Sequence, residues 1–201
     1  MKHTLYYHRH SDQIVKNDIS FKTDYEELIS VVEGISDNDL IEAFNNRKLE
    51  RPNIKSLSEP INHLIKERLV KKDWISESAI FYDEAYRTNK KWRLDFVKNN
   101  IALEVAFNHG EAIAHNMMKP VLSSELNHVQ KDIQTGLGVI ICATNNLKKN
   151  GGFDNSVGSY EKFIEYFKPY QSLIPTPLVL IGLESPQSFS IDKTLKEVKS
   201  R

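Results

Sequence analysis

Two runs of alternating residues, Trp92–Lys98 and Ile101–Phe107, are separated only by Asn99-Asn100, and this spacing constrains the fold more than any other feature of the chain. A two-residue connection between strands demands positive φ, which asparagine tolerates, so the segment reads as a type I′ hairpin. Its register follows: Lys98 pairs with Ile101, Val97 with Ala102, Phe96 with Leu103, Asp95 with Glu104, Leu94 with Val105 and Arg93 with Ala106. Leu94, Phe96, Leu103 and Val105 then share one face, as a hairpin lying on a core requires. The other face sets Asp95 directly against Glu104 with Cβ atoms about 5 Å apart, a placement that like charges oppose. Something positive has to stand near them. The residues leave two candidates open. Arg93, two positions from Asp95 on the same face, would lie across both carboxylates; alternatively a divalent cation with oxygen ligands sits there, which suits magnesium.

Around the hairpin the pattern is that of an α/β protein. Ser58 reads as a helix cap, Pro60 fits a first turn, and Ile61, Leu64, Ile65 and Leu69 recur at helical spacing. Ala79–Asp83 reads as a strand preceding the hairpin. A helix is expected over Glu111–Ile133, with Ile113, Met117, Met118, Val121, Leu122, Leu126 and Val129 on one side and Pro120 as a kink or a fresh start. Most of that stripe is expected in the core and part of it in a self-complementary dimer surface. Leu137–Ala143 and Leu178–Leu183 are continuous apolar runs, the mark of strands buried on both faces. Lys148–Asp154 reads as a loop and Tyr160–Phe167 as a helix.

The first quarter holds a short strand at Leu5–His8, a helix capped by Asp24, another at Asp37–Phe44 and a polar loop over Asn45–Ile54; Asp192–Arg201 reads as a frayed helix. The expected organisation is one domain over residues 1–201, with a helical flank at 1–56, a core at 57–184 and a tail at 185–201.

Composition narrows the function classes. No stretch approaches the roughly 20 apolar residues that span a bilayer, and the single cysteine, Cys142, excludes an internal disulfide. With no apolar core of a signal peptide at the N-terminus, a cytoplasmic protein is expected. The 27 basic residues balance the 27 acidic ones, so a polyanion would have to be held by a local cluster. Arg87-Thr88-Asn89-Lys90-Lys91-Trp92-Arg93 is that cluster, with Arg87, Asn89, Lys90, Lys91 and Arg93 as candidate phosphate contacts immediately upstream of Asp95.

Taken in order, Asp95-Phe96-Val97-Lys98, Ile101-Ala102-Leu103-Glu104-Val105, the Leu64–Trp74 stretch ending in Lys-Asp-Trp, and Pro177-Leu178-Val179-Leu180-Ile181-Gly182 resemble the PD-(D/E)xK nuclease core. The wording is closer still to the BglII/BstYI type II restriction endonucleases, over roughly residues 57–184. The resemblance implies a central mixed β-sheet flanked by helices. It also implies Mg2+-dependent cleavage of double-stranded DNA by a homodimer at a short palindrome, with GATC at its centre as one form. Asp95 and Glu104 would be metal ligands and the Val105 carbonyl a third. One position departs from the pattern: two residues after the glutamate, where the superfamily has lysine and the BglII-like branch glutamine, stands Ala106, which can neither orient a water nor take its proton. Glu111, Asn108 and His109, just beyond the strand, are candidates for that task, unless a metal-bound hydroxide suffices; Asn108 and His109 also sit where bases or phosphates come within reach. Glu59, at the start of the preceding helix, is a candidate additional acid, set against a simple interaction with the helix N-terminus. The alternative to a nuclease is a catalytically inactive DNA-binding or interaction module that keeps the fold, its acids tied up by Arg93.

Overall fold

A computed structural model describes residues 1–125 and 130–201. The chain runs through β1 (His3–His8), α1 (Ser11–Asn17), α2 (Ile19–Glu33), α3 (Asp37–Glu50), α4 (Ser58–Val70), β2 (Ile75–Ala79), α5 (Glu84–Arg87), β3 (Arg93–Lys98) and β4 (Ile101–Ala106). It continues through α6 (Ile113–Ser124), β5 (Leu137–Ala143), α7 (Asn145–Asn150), α8 (Tyr160–Tyr170), β6 (Leu178–Leu183), β7 (Phe189–Asp192) and β8 (Glu197–Ser200). Six strands form one mixed sheet in the order β1-β6-β5-β4-β3-β2; β4, β5 and β6 are parallel, and the remaining neighbours antiparallel.

The two central strands explain the apolar runs. Every residue of β5 and β6 is buried, because helices cover both faces. On one face Leu28, Val32, Phe44, Ile61 and Ile65 from α2, α3 and α4 meet Leu103, Val139 and Ile181. On the other, Met117 of α6 and Phe163 and Phe167 of α8 meet Ala106, Ile140 and Leu180. Cys142 is buried in that second layer. Gly138 lets α6 settle on β5: a Cβ there would stand 2.6 Å from Pro120 and 2.1 Å from Leu178. Pro120 stays inside one helix.

Several elements differ from the sequence reading, each for a physical reason. The strand expected at Ala79–Asp83 lies earlier, at Ile75–Ala79; it is the sheet edge, so Ile75 and Glu77 are exposed and no alternation of apolar residues marks it. Asp24 does not cap a helix: Asp18 does, accepting the Ser20 N–H, and Asp24 lies buried within α2. Asp37–Phe44 extends to Glu50, taking in part of the expected loop, and Asn145–Asn150 is helical although it carries no apolar stripe beyond Leu147. The helix after β4 ends at Ser124; Leu126 and Val129 lie outside the described residues. The tail is a hairpin, β7–β8, because Phe189 and Ile191, two apart, both face the core. The first 56 residues supply a sheet edge strand and much of one apolar layer.

Candidate active site at a fork in the sheet

The hairpin forms with the expected pairs Lys98–Ile101, Val97–Ala102 and Phe96–Leu103. Its turn is not type I′, for only Asn99 has positive φ (46°). Asn99 is held instead by α2, donating from Nδ2 to Asp24 at 2.7 Å. Beyond Phe96–Leu103 the ladder stops. β4 continues alongside β5 as far as Ala106–Cys142, while β3 continues alongside β2 at Ser78–Leu94 and Ala79–Arg93. The two strands thus part into a fork, and Leu94 joins Val97 and Ala102 in a separate apolar cluster rather than lying with Phe96 as the regular alternation requires.

Asp95 and Glu104 occupy the crotch. They are not simple cross-strand neighbours on one face, which corrects the expected pair; each grips the other's backbone. Val105 N–H donates to Asp95 Oδ2 at 2.7 Å, and Asp95 N–H donates to Glu104 Oε1 at 3.3 Å. From there the two carboxylates meet different surroundings. Asp95 opens onto a cavity of about 220 Å³ lined also by Asn62, Lys66, Ser76, Glu77 and Val105. Glu104 turns toward α6, where the Lys119 ammonium lies against its Oε2.

The electrostatics follow from burial. Glu104 is 2% exposed, and desolvation, reinforced by the charge of Asp95 and opposed by Lys119, pushes its pKa up to about 8. Burial also raises the Asp95 pKa; the Val105 N–H and Lys119 oppose the shift and Glu77 adds to it. Two acids coupled at one fork thus carry their negative charge at a cost. Among the described residues no three His, Cys, Asp or Glu side chains come together to hold a metal ion. The oxygens at the fork are the two carboxylates and the Val105 carbonyl, which accepts from Phe107 N–H at 3.3 Å. A sparse set of oxygens fits magnesium, which retains several waters.

The other candidates fall into place around this pair. Arg93 does not lie across the acids: its guanidinium donates to the backbone of Glu77 at 3.3 Å and Arg87 at 3.1 Å. The compensating charge is Lys119, so the reading in which Arg93 ties up the acids is corrected. Glu59 is ion-paired with Arg51 at 2.9 Å and lines a separate pocket, away from the fork. Glu111 and His109 are exposed beyond β4, and Asn108 accepts from Asn116 at 2.9 Å; none lines the Asp95 cavity. Lys90 and Lys91 are exposed next to the fork, Asn89 caps the turn that carries them, and Arg87 pairs with Asp132 at 3.4 Å.

Four residues near the fork stand outside the site read from the sequence. Asn62 and Lys66 are four apart and so stack on one stripe of α4 beside buried Ile61 and Ile65, a signal that was available. Glu77 gave none: it sits opposite Asp95 with φ 56°, where the β2–β3 ladder skips a pair. Lys119 is flanked by apolar residues on a helix whose phase alone does not reveal a buried ammonium.

Comparison with known proteins adds an independent line. Residues 3–183 match the family described as "Restriction endonuclease BglII/BglIII". No curated protein matches the sequence significantly. Among solved structures, the crystal structure of restriction endonuclease BglII complexed with a DNA 16-mer superposes with a TM-score of 0.68 at 18% identity, covering 98% of this chain and 87% of that one. Free BglII gives 0.58 at 17% identity, covering 91% and 79%. The superpositions establish a shared fold.

Proposed function

Because the chain belongs to the BglII/BglIII restriction endonuclease family and is a type II site-specific deoxyribonuclease, we propose that it hydrolyses double-stranded DNA with Mg2+ held at Asp95, Glu104 and the Val105 carbonyl. The observation that carries this reading is the fork: buried Glu104 and half-buried Asp95, locked onto each other's backbone beside an open, polar cavity. Bound there, the ion would supply a Lewis acid for a phosphoryl oxygen and lower the pKa of a water. The chain's own residues do the rest. Val105 N–H fixes Asp95 by one oxygen and leaves the other, Oδ1, without a protein partner among the described residues. Exposed Lys90 and Lys91 face solvent beside β3, placed to contact phosphates and set the duplex over the fork without reading its sequence.

The substrate is a short palindrome, with GATC at its centre as the first sequence to try, and the active form a homodimer, since a two-fold site is matched by a two-fold protein. Ile113, Met117 and Val121 of α6 are buried in the protomer's own core, which leaves half-buried Met118 and Leu122 as the part of that stripe open to a two-fold contact. Digestion of a sequenced plasmid with Mg2+ tests the whole reading. Discrete fragments whose ends share one palindrome support it; hydrolysis that survives Asp95→Asn or Glu104→Gln sinks the assignment of the site.

A further inference from the structure

We propose that Lys119, reaching down from α6, supplies the cation that the strand lacks at Ala106; the inference rests on the nuclease reading above and concerns how its site is completed. Ala106 lies 2% exposed on the same face of β4 as Glu104 and presents only a methyl group there. Onto that face α6 delivers a single ammonium. Lys119 Nζ touches Glu104 Oε2 and donates to the Arg93 carbonyl at 2.9 Å, bridging the two arms of the fork. Its side chain is only 10% exposed. The third N–H has no protein acceptor among the described residues, which leaves one donor for a water or a phosphate oxygen.

Position and chemistry both separate Lys119 from an ordinary ion pair. The contact of Pro120 with Gly138 seats the helix one residue away, so the ammonium is placed by packing rather than by a loose surface stem. A buried pair that did nothing but neutralise itself gains little over apolar residues of the same volume. Other cations do not compete: Lys66 is exposed across the cavity and forms no ion pair with either acid, and Arg93 is turned to the backbone. Lys119 is therefore a positioning residue, holding Glu104 in the fork and offering a hydrogen bond where a lysine two residues after the glutamate would have offered one.

The test compares the unmodified chain with Lys119→Met and with Lys119→Met combined with Ala106→Lys. Cleavage of plasmid in Mg2+ is measured alongside Mn2+ affinity in the absence of DNA by titration calorimetry, with circular dichroism as the check on folding. Lys119→Met is expected to cleave at least ten-fold more slowly and to bind Mn2+ at least three-fold more tightly, because a positive charge has left the ligating carboxylate. Moving the lysine to position 106 is expected to recover most of the lost cleavage. A smaller loss, unaltered Mn2+ affinity, or no recovery overturns the proposal. Should Lys119→Met not fold, the double variant decides alone, and a folded but inactive double variant overturns it. If the unmodified chain cuts no DNA, the nuclease reading fails and the Mn2+ comparison alone judges Lys119.

Discussion

The two ends of the β3–β4 hairpin are built from the same strands and behave in opposite ways. At the turn every charge is matched: Lys98 reaches Glu27 at 2.7 Å and Asp24 at 3.6 Å, the Trp74 indole donates to Glu27 at 2.9 Å, and Asn99 binds Asp24. At the fork one ammonium pairs with Glu104 alone, and both acids lean on peptide N–H groups. Lys98 keeps its charge more firmly than a free lysine, because the cost of burial, the largest single influence, is outweighed by the hydrogen bonds and charges of Glu27 and Asp24 together, whereas both fork acids are pushed toward holding a proton. A finished ion-pair network stabilises the fold. An unfinished one is stabilised by what binds it, and that is the physical mark of a site.

The largest effect should come from breaking the fork. Asp95→Asn keeps shape and the bond from Val105 N–H yet removes the charge, so cleavage should fall at least about 1000-fold, the scale of several kcal/mol of transition-state stabilisation, while the melting temperature changes little. Breaking the turn should do the reverse. Lys98→Met removes hydrogen bonds to charged groups and leaves half-buried Glu27 and buried Asp24 without their ammonium, costing about 2 kcal/mol and lowering Tm by roughly 6 °C, with the cleavage rate per folded molecule unchanged. A Lys98→Met variant as stable as the parent would mean that the two ends do not divide the work in this way.

A third variant sharpens the comparison by asking which end meets DNA. Lys90→Ala with Lys91→Ala removes two exposed cations beside the fork. If both contact phosphates, the slope of log binding constant against log salt should drop by about 2, without any change in the sequence cut. Fluorescence anisotropy with a labelled duplex, between low and moderate salt, reads that slope directly. An unaltered slope would place the duplex elsewhere.

How much of this was legible in the residues depends on how far apart the cooperating groups lie along the chain. Phe96–Leu103, Val97–Ala102 and Lys98–Ile101 follow from a local turn and alternation, and they form as expected. Leu137–Ala143 and Leu178–Leu183 are strands with the expected bounds, since burial on both faces leaves an unbroken apolar run. The fork was not legible, because it opens where β3 follows β2 and β4 follows β5, and neither pairing is written into the hairpin itself. Nor was the partner of Glu104: Lys119 is 15 positions away on a helix whose seating depends on Gly138 and Leu178. Ala106 announced that something was missing without saying where its replacement stood.

The smallest expected effect concerns protons at the fork. Burial and the neighbouring Asp95 give Glu104 a higher pKa in the folded chain, about 8, than a carboxylate has when unfolded. The folded state therefore binds this proton more tightly, so the contribution is complete below the ordinary carboxylate range and is lost as pH rises toward 8. In EDTA, Tm should decline by a few degrees between pH 5 and pH 8, and Glu104→Gln, which cannot ionise, should flatten that decline. Excess Mg2+ should reverse its direction for the parent, because the ion binds the ionised carboxylate and stabilises what alkali otherwise weakens. The turn offers the control, since Lys98→Met leaves Glu104 untouched and should shift the whole curve downward without changing its slope. A parent whose Tm is level across this range would show Lys119 neutralising Glu104 completely, and the fork would then resemble the turn in its electrostatics after all.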